Sequence, residues 1–107
     1  MIVVVSAPGG DEPQISLRQP RHFAALTVLV EPEAEAHAAA ALEALGRRDG
    51  AKHVWIAPGT LERLAGELGS EPEWRQSLSA MLAFATGHGW VDEGGAVRAH
   101  VEQRGAG

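Results

Sequence analysis

The sequence predicts an α+β fold, a small mixed sheet with three helices, and three observations carry that prediction. Short apolar runs, β-branched or alternating, recur near 2–5, 15–19, 23–30, 53–57, 90–92 and 96–102. Three other stretches, 32–45, 61–68 and 71–86, place apolar residues at helical offsets. Strands fall before, between and after the helices, so both kinds of element share one α+β domain. The 107 residues suffice for one core and not for two, so a single domain spanning 1–107 is expected.

The first strand, IVVV at 2–5, is a continuous β-branched run of the kind buried on both faces of a sheet. SAPGGDEP at 6–13 clusters turn formers. Its glycines lack a following Gly-Lys-Ser/Thr and open no helix, so it reads as a connection and not as a phosphate loop. ISLRQ then alternates Ile15 and Leu17 against Ser16 and Arg18, as a half-exposed strand does. FAALTVLV at 23–30 is apolar on both alternating faces save Thr27 and is expected at the centre of the sheet.

Pro32 in a first turn, with Glu31, Glu33 and Glu35 at the positive end of the dipole, opens the first helix. Gly46 followed by Arg47 and Arg48 suits its end, and Ala38, Ala41, Leu42 and Leu45 form its buried stripe. HVWIA at 53–57 returns as a strand, so strand, helix and strand suggest a crossover on one face. Thr60 is expected to cap the second helix, whose apolar face is Leu61, Leu64, Ala65 and Leu68. SEPE at 70–73 reads as a capping box launching the third, with the stripe Trp74, Leu78, Met81, Leu82 and Ala85. Gly87 and Gly89 suit its end, with Trp90 folding back over the last turn. WVDEGGAVRAHVE is then a hairpin around Glu93-Gly94-Gly95, and RGAG at 104–107 is expected to fray.

Composition narrows function by exclusion. The formal charge is −5, and Lys52 is the only lysine beside eight arginines, so no basic stripe is on offer and nucleic acid is not an expected partner. No apolar run is long enough for a membrane span, the first ten residues lack a signal peptide's basic region, and cytoplasm is the default address. Without cysteine there is no thiolate ligand or thiol nucleophile. The five histidines stand at none of the short spacings that gather two metal ligands on one face, so neither metal nor cofactor is expected. No Gly-x-Ser-x-Gly elbow is present to support a serine triad.

The last strand holds the main candidates. Val97, Ala99 and Val101 face one way and Arg98, His100 and Glu102 the other, a pattern that the solvated face of a sheet edge explains by itself. Read as chemistry, Arg98 holds an anion, His100 or His53 moves a proton, and Glu102 or Asp92 orients the imidazole. His53 and Trp55 share a strand face, and Trp55 and Trp90 would exclude water. His88, which a helix end alone would explain, is grouped with Trp55, Trp90 and Asp92 as ligand-binding. The expected function is a cofactor-free acid-base enzyme or binding protein for a small carboxylated or carbonyl compound. Whether it is an enzyme is left open.

A second expectation comes from the C-terminal half. Two helices followed by a Gly-turned hairpin resemble in outline a winged helix. That likeness implies an interaction module, with a protein partner or a second copy of the chain pairing across the edge of the first strands. DNA is disfavoured because the third helix carries Glu71 and Glu73 in its first turn.

Overall fold

The strand segments join into one mixed sheet of six, described by a computed structural model over residues 1–103. The fraying expected of 104–107 lies outside the described residues. The strands are β1 (Ile2–Ser6), β2 (Gln14–Arg18), β3 (Thr27–Val30), β4 (Gly46–Asp49), β5 (His53–Ile56) and β6 (Val97–Gln103), in the order β2-β1-β3-β6-β5-β4. β1, β3 and β6 run parallel, and the remaining pairs are antiparallel. The helices are α1 (Ala38–Leu45), α2 (Pro58–Ala65) and α3 (Pro72–Gly87), giving the small α+β fold that the residue pattern predicts. Among the described residues no helix is long and apolar enough to cross a membrane.

Register sorts the side chains into two faces. Val3 stands opposite Val28, Val28 opposite Val101, Val54 opposite Ala99 and Ile56 opposite Val97, and residues so paired project to the same side of the sheet. All of them are buried in one cluster with Leu42 and Leu45 of α1, Leu61 of α2 and Trp74 and Leu78 of α3. Full burial of each such aliphatic side chain contributes about 1.5–3 kcal/mol. The other face carries Thr27, His100, His53 and Asp49 in one row and Arg98, Trp55 and Arg47 in the next. Arg98, His100 and Glu102 are exposed there, so the helices pack against only one side of β6.

Several boundaries differ from the sequence reading. The strand expected at 23–30 begins only at Thr27; residues 24 and 25 are exposed, and Phe23 turns away to pack on Trp74 with ring centroids 5.9 Å apart. The backbone nitrogen of Met1 donates to the carbonyls of His22 and Ala25 (2.7 and 3.1 Å), which pins this segment as a loop. The helix expected at 32–45 starts as a 3₁₀ helix, Pro32–His37, before α1. Gly46 closes that helix as expected, and the Gly46-Arg47-Arg48 stretch also begins β4. β3 and β5 are antiparallel and separated by β6, so the parallel crossover runs from β3 through α1 to β4.

The second helix starts earlier than Leu61, with Ala57 as its N-cap in place of Thr60, because Pro58 fixes the first helical position. Gly66, at φ 64°, ends it, and a 3₁₀ helix follows over Gly66–Ser70. The capping box expected at 70–73 is not formed: Glu71 is the N-cap and makes no side-chain cap bond. Residues 90–92 are not a strand but a single antiparallel bridge, Val91 with Val97. β6 pairs on both flanks, with β3 and with β5, so it is an interior strand and neither a sheet edge nor half of a wing. The winged-helix outline therefore does not describe this half of the chain. β1 likewise has two neighbours, which leaves β2 and β4 as the edges.

Candidate functional site

The late start of β3 makes a gap. β5 occupies one side of Val97, so Val91, bridged to Val97, lies on the β3 side of β6. The column that 23–26 would have filled as strand is thus taken by 90–92, held by the Arg98 amide on the Trp90 carbonyl at 2.8 Å. Between the loop and Trp90 opens a groove of about 380 Å³, lined by Ala24, Ala25, Leu26, His53, Trp90, Arg98 and His100. That volume is at the lower end of the roughly 300–1,000 Å³ usual for small-molecule sites. A broader hollow of about 680 Å³ over residues 19–22 is a nearly flat surface lined by one loop, and no side chains converge there from elsewhere.

The polar floor of the groove is set by alternation along β6 and by the β5 register. Arg98 and His100 point to the open face because Val97, Ala99 and Val101 point to the core. His53 stands opposite His100, with ring centroids 5.4 Å apart and edge to face. The Arg98 guanidinium has its Nε 3.3 Å from Asp49 Oδ2 and its Nη2 3.2 Å from His53 Nδ1. A guanidinium only donates, so in this contact Nδ1 accepts and His53 carries its proton on Nε2. His100 Nε2 lies 3.9 Å from Glu102 Oε1, a loose contact between exposed groups.

The expected residues divide. His53, Arg98, His100 and Trp90 meet in the groove, whereas Glu102 touches it only through His100. Trp55 sits on the same sheet face opposite Arg98, but the Arg47 guanidinium lies 5.2 Å from its ring centroid and Trp55 does not line the groove. Asp92 organises the turn before β6 instead of orienting an imidazole. Its Oδ1 accepts from the Ala96 and Gly94 amides at 2.8 and 2.9 Å, and its Oδ2 accepts from Arg47 at 3.0 Å. The Ala96 amide, and after it Arg47, hold the Asp92 carboxyl below the usual aspartate range. His88 stacks on Trp90 with centroids 4.7 Å apart and donates from Nδ1 to the Phe84 carbonyl at 3.0 Å, outside the groove.

Sequence reasoning missed Asp49 and the loop at 24–26. Asp49-Gly50, with Gly50 at φ 70°, is the hairpin signal that would have placed β4 beside β5 and Asp49 across from His53. Among the described residues no three histidine or carboxylate side chains converge as a metal ion would require. Comparison with protein-family models, with curated proteins and with solved structures finds no match to this chain.

Proposed function

We propose that the groove binds a small molecule through a carbonyl or carboxylate oxygen, with Arg98 and the two imidazoles as donors and Trp90 as an apolar wall. One observation carries this: His53 of β5 joins Trp90, Arg98 and His100 of the C-terminal segment in lining one concavity. Arg98 offers planar, forked donors to such an oxygen. His53, held by Arg98 at Nδ1, has an Nε2–H suited to polarising a carbonyl, so any proton chemistry falls to His53 and His100.

Asp49 shares the guanidinium, and a ligand carboxylate competes with it. Asp49→Asn should therefore tighten acetate or pyruvate binding, by roughly three- to tenfold. The direct test is a ¹H–¹⁵N NMR titration of the chain with acetate and with pyruvate. Shifts are expected at the Trp90 indole and at residues 53 and 98–100, and are lost in Arg98→Ala and His100→Ala. If both variants fold normally and titrate like the parent, the groove is not the binding site.

A further inference from the structure

We infer that the ligand is amphipathic, an aromatic or branched-chain carboxylate whose apolar group enters a second cleft joined to the groove at Trp90 and Arg98. The inference rests on the oxygen-binding reading of the groove and adds the class of ligand. The cleft lies between the loop at 23–26 and the C-terminal half of α3, and its walls include Leu26, Met81, Phe84, Ala85, Trp90 and Val97. Among the described residues Arg98 is the only charged side chain lining it. Ala24, Ala25, Leu26, Trp90 and Arg98 line both spaces, so the two adjoin.

Strand geometry explains the junction. Consecutive residues of β6 face opposite sides, so Val97 looks toward the helices and Arg98 toward the open face. Residues 90–92 fill the sheet beside Val97 and Arg98, and the two spaces adjoin where Trp90 faces the loop at 24–26, so a ligand there can place carbon on the Val97 side and oxygen against Arg98. The rim supports the same class. Phe84 (62% exposed) and Trp90 (43%) are the large apolar side chains left exposed among the described residues, and both line the cleft. His88 bridges them, with centroids 4.3 Å from Phe84 and 4.7 Å from Trp90. A ring or branched chain between Leu26 and Phe84 would remove apolar surface from water on both. The cleft is narrow, about 70 Å³ against about 380 Å³ for the groove, which suits one ring or a short branched group and not a long tail.

The test uses the whole chain with acetate, benzoate and isovalerate, titrated by calorimetry or NMR, in the parent and in Phe84→Ala. Phe84 is exposed, so its truncation should leave the fold intact, checked by circular dichroism. Benzoate and isovalerate should bind about tenfold more tightly than acetate, as removal of several tens of Å² of apolar surface from water implies. Phe84→Ala should erase most of that advantage while leaving acetate unchanged. Acetate binding that depends on Arg98, with benzoate and isovalerate no tighter, overturns the amphipathic ligand and leaves the oxygen site standing. Absence of binding by all three overturns both, and an aryl advantage that survives Phe84→Ala overturns the cleft as its source.

Discussion

Asp92 shows how one side chain is committed to structure in a segment the sequence marks as chemistry. Its Oδ1 accepts from the Ala96 and Gly94 amides and its Oδ2 from Arg47, so the carboxylate fixes the turn that sets Trp90 against β6. These partners favour the ionised form and depress its pKa in the folded chain below that in the unfolded one. The unfolded state therefore takes up protons first as pH falls. The stabilisation is complete above the ordinary aspartate pKa, about 3.9, and is lost as pH drops through the lower folded value. Asp92→Asn keeps an acceptor for the two amides but removes the charge. Its urea midpoint should fall below the parent's at pH 7, and the two should converge as pH drops below about 4. A gap that is constant with pH would mean that the carboxylate's charge contributes nothing. Alternation along β6 was enough to place Arg98 and His100 on the open face. The task of Asp49 was not legible, because its partner Arg98 is more than forty positions away, whereas the Gly94 and Ala96 amides that Asp92 holds are local and only its bond to Arg47 is remote.

At the scale of elements, glycine decides two junctions by what it lacks. Gly46 ends α1, its amide donating to the Leu42 carbonyl, and it is also the first residue of β4. Its φ of 169° is extended, so no left-handed conformation is involved; the reason for glycine is space. A Cβ there would lie 1.8 Å from the Trp55 carbonyl oxygen across the β4–β5 pair. The sequence marked Gly46 as a helix terminator, which it is, but a terminator in extended backbone also starts a strand, and no local pattern separates the two. Gly69, in the 3₁₀ helix after α2, is placed alike: its Cβ would sit 2.3 Å from the Glu62 carbonyl oxygen. Gly46→Ala and Gly69→Ala should each cost about 2–4 kcal/mol, because backbone must move to admit the methyl. Gly59, inside α2 with nothing within 4 Å of its Cβ position, is the control. Gly59→Ala should be neutral to stabilising, by up to about 1 kcal/mol, through helix propensity and a less flexible unfolded chain. Urea midpoints in that order check the close approaches, and equal midpoints for all three would refute them. The helix stripes were legible because a period of 3.6 is local, and all four predicted residues of α1, Ala38, Ala41, Leu42 and Leu45, are buried.

Across the whole molecule, β6 is the strand on which the sheet depends. It pairs parallel with β3 and antiparallel with β5, joining β2-β1-β3 to β5-β4. Nothing in the sequence near residue 100 reports that position, since the partners of β6 lie 41 to 73 residues earlier and strand order is a property of the assembled chain. The alternation that exposes Arg98 and His100 also makes the faces of β6 unequal in energy. Val101, only 6% exposed and opposite Val28, lies in the single core cluster that all three helices share. A carboxylate there is taken out of water beside Val28, and Val101→Asp should cost about 4 kcal/mol or more, a large part of the roughly 5–15 kcal/mol a domain has. His100→Ala, one residue away on the open face, should stay within about 0.5 kcal/mol of the parent. Because β6 bridges both halves of the sheet, the Val101→Asp loss should be global. Fluorescence of Trp74, buried on the core side of α3 and bonded to the Pro20 carbonyl, should then change at the same denaturant concentration as far-ultraviolet dichroism. If the Trp74 signal stays native while dichroism falls, β2-β1-β3 with its helical cover is stable without β6, and the sheet is two cooperative units instead of one.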